Sequence, residues 1–226
     1  MNSFDFLGSE QTIFSNPDAL DQDFVPKLLP HREEQQRFLA TAIKPIIQNR
    51  SGMSVIAHGP SGVGKTASTR RILMDLEDLP EADSIAKVFI NCWKANTTYK
   101  IMSEIANQLG FRFTHNLKTN EIIDRVIEKL EKRDGLVLVL DEADKADDYD
   151  FLYHILENIS KKTLILLTND NKWGSKLDFR ITSRLTPELV EFKEYTLNET
   201  RDILSERVKY AFFRGVWEEE ALGLLA

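Results

Sequence analysis

Cysteine is almost absent from this sequence: Cys92 is the only one in 226 residues. A lone thiol builds neither a disulfide framework nor a cysteine-based metal site, and it suits a reducing, cytoplasmic compartment. Long apolar runs are missing as well. The longest, such as Leu136–Leu140 and Leu164–Leu167, fall far short of the roughly 20 residues that cross a bilayer. Met1-Asn2-Ser3-Phe4-Asp5 carries no positive region and no apolar stretch, so it does not read as a signal peptide. A soluble intracellular chain with no membrane partner is expected. Positive charge is also in short supply, with 29 Lys and Arg against 36 Asp and Glu and a net charge of -7. Binding to nucleic acid depends on clustered cations, so composition lends it no support, although one local patch can suffice. The four histidines, His31, His58, His115 and His154, show no ligand spacing with carboxylates, which argues against zinc. Neither internal repeats nor low-complexity tracts occur.

What is present is an alternation of helix and strand patterns. Residues 1–30 are polar and punctuated by Pro17, Pro26 and Pro30; they read as an arm over a domain surface. Helical spacing runs from His31 to Arg50, and strand candidates follow at Met53–His58, Ile85–Asn91, Leu136–Asp141 and Thr163–Asn169. Further helices are expected over Lys65–Leu76, from an N-cap at Thr97 to Leu109, and from about Asn120 to Lys132,. Strand runs without polar alternation belong to parallel sheets covered on both faces. The pattern therefore predicts an α/β three-layer fold, helices on either side of a parallel sheet. After Tyr195 only helix remains. Thr196 with Glu199 forms a capping box for a helix to about Arg214, Gly215 stops it, and Trp217–Leu225 begins another,. The expected division is an arm at 1–30, a core at 31–196 and the start of a helical lid at 197–226.

Gly59-Pro60-Ser61-Gly62-Val63-Gly64-Lys65-Thr66 fits the phosphate-binding pattern G-x-x-x-x-G-K-[ST], placed between a predicted strand and a predicted helix. Its glycines let several backbone N–H groups converge on one anion at a helix N-terminus, which Ala67 continues. Lys65 brings positive charge to the β- and γ-phosphates, and the Thr66 hydroxyl suits Mg²⁺. Asp141 and Glu142 end an apolar strand 75 residues after Thr66; Asp141 suits the Mg²⁺ shell and Glu142 the activation of a water. Asn169 ends the next strand, where it either positions that water or serves as turn chemistry. Arg180 and Arg184 share one helical face. Either could reach the γ-phosphate of a neighbouring subunit, or pair at the surface with Asp178 or Glu188. Trp93 and Trp173 read as core residues near strand ends. Lys129, Lys132, Arg133, Lys161 and Lys162 read as solvated. The expected cofactors are ATP or ADP with Mg²⁺.

With those residues in place, the sequence resembles the AAA+ ATPases, and among them the archaeal replication initiators of the origin-recognition and cell-division-control type. The likeness rests on Phe24-Val25-Pro26 with Leu29-Pro30-His31-Arg32-Glu33, on Asn91-Cys92 with Asn96-Thr97-Thr98-Tyr99, and on Asp141-Glu142-Ala143-Asp144. It continues through Arg180, Ser183, Leu185, Phe192, Tyr195, Arg207 and Gly215, covering about residues 14–226. It implies that Pro26, His31 and Arg32 lie against the adenine, that Asn169 is the first sensor, and that Arg180 or Arg184 is an arginine finger. Further implied are slow hydrolysis, assembly with other AAA+ subunits, duplex origin DNA and a replicative helicase as partners. The sequence given stops one helix into the lid, and the family's second-sensor arginine and winged-helix domain are not in it. DNA binding by these residues alone is therefore not implied. Two other functions stay open, another AAA+ helper of the transposition or clamp-loader kind and an adaptor that binds nucleotide without cleaving it.

Overall fold

Leu136 to Leu140 and Leu164 to Leu167 run apolar because both faces of their strands are covered. In the computed structural model, which describes residues 13–21, 23–111, 117–217, 221 and 223–224, five strands form one sheet. They are β1 (Val55–His58), β2 (Ile85–Asn91), β3 (Gly135–Asp141), β4 (Lys162–Thr168) and β5 (Glu188–Glu191). All pairings are parallel, in the order β2-β3-β4-β1-β5. Alternate residues point to opposite faces, so each run feeds two cores. Leu136, Leu138, Leu140, Leu164 and Leu166 enter one cluster, with residues of α3 (Thr98–Gln108), α4 (Thr119–Glu131) and α5 (Asp150–Asn158). Val137, Val139, Ile165 and Leu167 enter the other, with α1 (Glu33–Ile47) and α2 (Lys65–Glu77). The result is the three-layer α/β/α sheet that the sequence pattern predicts.

Local rules hold at several boundaries. Thr97 accepts from Lys100 N at 3.3 Å as the N-cap of α3. Thr196 and Glu199 close their capping box, Glu199 N donating to Thr196 Oγ1 at 3.3 Å and Thr196 N to Glu199 Oε2 at 2.7 Å, at the start of α7 (Leu197–Ala211). That helix stops at Ala211, short of Arg214, because Phe212 is extended and forms an antiparallel bridge with Phe14. Two core elements, α5 and β5, are additional to the predicted ones, as is α6 (Phe179–Leu185) as a defined helix. Lys162 is not solvated as expected: its Nζ is half-buried and donates to the carbonyls of Leu156, at 3.0 Å, and Ile159 at the end of α5. Of the helix expected over Trp217–Leu225, residues 218–220, 222 and 225 lie outside the described residues, as does His115.

The chain divides into a larger unit, Arg32–Glu194, and a smaller one drawn from residues 1–31 and Tyr195–Ala226. In the smaller unit, Ser15 N and Asn16 N donate to Ala211 O at 2.9 and 3.1 Å. The Phe14 and Phe212 rings lie 4.9 Å apart, and Phe24 lies 6.0 Å from Tyr210. The described residues of 13–31 are thus packed along α7. Among the described residues, no helix is long and apolar enough to cross a membrane.

Candidate nucleotide site

β4 lies between β1 and β3 in the sheet, so three strand ends meet at one edge: the glycine loop after β1, the acids closing β3, and Asn169 just past β4. The loop is shaped by its glycines. Gly62 and Gly64 have φ of 80° and 87°, a left-handed backbone that glycine adopts without the Cβ penalty. Gly59 is needed for space, since a Cβ there would stand 2.1 Å from the Phe192 carbonyl oxygen. Pro60, Ser61 and Gly62 are exposed at the tip, while Val63 and Lys65 are buried. Gly64 is the N-cap residue of α2 with no side-chain cap, which leaves the first N–H groups of the helix to converge on a ligand. Ala67 lies in the first turn.

The Lys65 ammonium donates to the carbonyls of Gly59 at 2.7 Å and Pro60 at 2.6 Å, and to Asn169 Oδ1 at 2.8 Å. Asn169 Nδ2 donates in turn to Glu142 Oε2 at 3.2 Å. One amide therefore joins the lysine of the glycine loop to the acid just past β3. Thr66 Oγ1 lies 3.1 Å from each carboxylate oxygen of Asp141, and Glu142 N donates to Asp141 Oδ1 at 3.1 Å. Glu142 itself takes a left-handed backbone, φ 54°, unusual for a residue with a side chain. Burial pulls the Lys65 pKa down against the opposing pull of Glu142, Asp141 and Asp144. Burial pushes the Asp141 carboxyl up, helped by the Glu142 charge and opposed by the Thr66 hydroxyl. Both shifts have the same leading cause, the loss of water around a charged group,.

The donor set fits magnesium. Thr66 and Asp141 are hard oxygen donors, and no group of three or more His, Cys, Asp or Glu able to hold a metal occurs among the described residues. Two protein oxygens completed by phosphate and water are what Mg²⁺ takes, rather than an all-protein cage.

The remaining candidates have partners of their own. Arg180 pairs with Asp178 at 3.1 Å and Arg184 with Glu157 at 2.9 Å, and both guanidiniums approach the Tyr153 ring. They lie together on α6, 64% and 41% exposed. Pro26 and His31 belong to the smaller unit, where His31 Nε2 lies 3.0 Å from Asp202 Oδ2. Arg32 belongs to the larger unit and is buried, donating to backbone carbonyls on both sides. Nothing in the local sequence says that this guanidinium turns inward. The tryptophans diverge: Trp173 is 3% exposed, as expected of core, whereas Trp93 is 70% exposed with the Lys145 ammonium 5.8 Å from its ring.

Comparison with known proteins fits this architecture. The AAA domain family matches residues 48–172. An ORC1-type DNA replication protein 1 of Archaeoglobus fulgidus is 33% identical over 100% of this chain and 58% of its own length. A protein of the same name from Sulfolobus acidocaldarius is 35% identical over 95% of this chain and 56% of its own. The chain thus spans a little over half the length of these relatives. The structure of the Aeropyrum pernix ORC1 protein in complex with DNA is similar with a TM-score of 0.85 and 31% identity, covering 96% of this chain and 59% of that one. Cdc6p from Pyrobaculum aerophilum shares the fold, with a TM-score of 0.83 at 24% identity. The chain belongs to the AAA domain family and, within it, is a homologue of the archaeal ORC1-type DNA replication proteins.

Proposed function

We propose that this chain binds Mg-ATP at the joined ends of β1, β3 and β4 and hydrolyses it slowly, as the nucleotide switch of a replication initiator. The observation that carries the reading is the single amide of Asn169, bonded to Lys65 at 2.8 Å and to Glu142 at 3.2 Å. A side chain spanning a phosphate-binding cation and an acid suits the joint positioning of the γ-phosphate and the attacking water.

Each residue then has a defined task. The N–H groups of Gly62 to Ala67 and the Lys65 ammonium hold the β- and γ-phosphates. Thr66 and Asp141 would hold Mg²⁺, which would supply neutralising charge for the phosphate oxygens. Glu142 takes the proton of the attacking water, and Asn169 keeps that carboxylate and the water in line. The cation expected to complete the transition state comes from a neighbouring subunit: Arg180 or Arg184, exposed on α6, is of the type that acts in trans. The ORC1 protein solved in complex with DNA supports DNA as a partner of the whole initiator; other AAA+ subunits and a replicative helicase are proposed from the family resemblance alone.

Thermal unfolding of the wild type and of Lys65→Ala, with and without saturating Mg-ATP, tests the site. A ligand at a hundred times its dissociation constant adds about 2.7 kcal/mol; the wild type should gain this and Lys65→Ala should not. Glu142→Gln should keep the stabilisation and lose turnover. A wild type indifferent to Mg-ATP would end the nucleotide reading. Binding without turnover, even with subunits concentrated, would leave an adaptor instead.

A further inference from the structure

Arg32 is 5% exposed, a burial that a guanidinium reaches only when its donors are matched. Its Nε donates to the Val63 carbonyl at 2.8 Å and its Nη2 to the Lys193 carbonyl at 2.6 Å. The guanidinium carbon lies 5.7 Å from the centre of the Phe192 ring, within cation–π range. Phe192 in turn packs against the start of the glycine loop. Its N–H donates to the His58 carbonyl at 2.8 Å, and its carbonyl oxygen lies 2.1 Å from where a Cβ on Gly59 would be. One side chain therefore gathers three stretches: the first residue of the larger unit, the glycine loop, and the segment that follows β5.

The Val63 bond carries the consequence. In a trans peptide, the carbonyl of one residue and the N–H of the next point to opposite sides of a rigid plane. Pinning the Val63 oxygen to Arg32 turns the Gly64 N–H the other way. Gly64, at φ 87°, has no side chain to resist or fix that orientation, so an outside anchor is what sets it.

We propose that Arg32 is a positioning residue for the phosphate loop: it holds the Val63 carbonyl away from the loop's hollow so that the Gly64 N–H faces the phosphates. The same fork ties the loop to both chain segments that border the larger unit, Arg32 itself and Lys193. Phosphate occupancy is thereby felt at both borders. This inference rests on the nucleotide reading above, and it gives Arg32 a task different from the adenine contact that the family resemblance implies. Lysine cannot replace it, because an ammonium is a point donor and lacks the planar fork that serves two carbonyls at once.

The test is calorimetric titration of the full chain, as wild type, Arg32→Lys and Arg32→Met, with Mg-ATP and with Mg-tripolyphosphate. Loss of a charge-assisted hydrogen bond corresponds to roughly a tenfold to hundredfold loss of affinity. Both variants should show it, by the same factor for the two ligands. Tripolyphosphate affinity left intact in the variants would make Arg32 a base contact, and rescue by lysine would make it a mere charge; either overturns the proposal. Amide exchange of the wild type gives a readout that needs no variant. Mg-ATP should slow exchange in residues 59–66 and 190–195 together, and slowing confined to 59–66 would also overturn the coupling. A wild type that binds neither ligand fails the nucleotide reading itself, whereas wild-type binding with unchanged variants fails only the role of Arg32.

Discussion

At the end of β4, two neighbouring side chains hold the acidic edge of the sheet. Asn169 spans Lys65 and Glu142, while Thr168, 1% exposed, donates Oγ1 to Asp144 Oδ1 at 3.0 Å. Burial acts to raise the Asp144 carboxyl, but hydrogen bonds from Lys145 and Thr168 outweigh it and hold the group below the ordinary carboxylate range. A depressed folded pKa stabilises the fold above the unfolded value, about 3.9, and that contribution is lost as pH falls through the folded pKa. Thr168→Val keeps the shape and removes the donor. It should cost about 1–3 kcal/mol near neutral pH, and the deficit should shrink on acidification below about pH 4. Urea unfolding of both proteins at neutral and acidic pH checks this; a deficit independent of pH would take Asp144 out of the account. Residues of this edge differ in how readable they are. That Lys65, Thr66, Asp141 and Glu142 meet at one edge is legible because their spacing and strand context place them there. The inward turn of Arg32 and the exposure of Trp93 depend on what folds against them, and no local pattern encodes that.

Among the elements, β3 and β4 are legible because burial on both faces requires an unbroken apolar run, and Ile85–Asn91 is read to its true limits. β5 is not, because an edge strand needs only one covered side; Glu188–Glu191 is mostly exposed and has two acids among its four residues. Its place beside β1, in register from Val55↔Glu188 to His58↔Glu191, is what brings Phe192 against the glycine loop. The loop itself carries an asymmetry that its sequence pattern hides. Gly62 has nothing within 4 Å of an added Cβ, whereas Gly59 meets the Phe192 carbonyl at 2.1 Å. Gly62→Ala should therefore cost only the left-handed backbone penalty, about 1–2 kcal/mol. Gly59→Ala, at φ 153°, adds to its own backbone strain an overpacking cost of about 1–3 kcal/mol, because the neighbour that must yield is backbone. Chemical denaturation of the two variants should rank Gly59→Ala as the more damaging. The reverse order would mean that the β5 exit gives way easily and does not brace the loop.

For the whole molecule, the informative feature is that the smaller unit is built from both ends of the chain. Phe14 and Phe212, nearly the full sequence apart, form the antiparallel bridge, and Phe212 also meets the Trp217 ring at 5.4 Å. Arg207 lies over Phe24 at 5.9 Å, and His31 pairs with Asp202 at 3.0 Å. The sequence marks an arm and a capped helix but carries no periodicity that pairs them, since contacts of such separation leave no local trace. If these contacts make one cooperative body, loosening them at a single point should release both ends together, as local unfolding proceeds in contiguous units of structure rather than of sequence. Phe212→Ala removes a half-buried ring that touches two others. Truncating a fully buried Phe costs about 3–5 kcal/mol, so a loss of roughly half that is expected here. Amide exchange should quicken in residues 13–31 and in α7 alike, while the amides of β3 and β4, in the core of the larger unit, keep their protection. Quickening in α7 with residues 13–31 unaffected would show that the arm is held by something other than that helix. Quickening throughout the sheet would show that the chain unfolds as one body, with no separate stability in the unit that joins its ends.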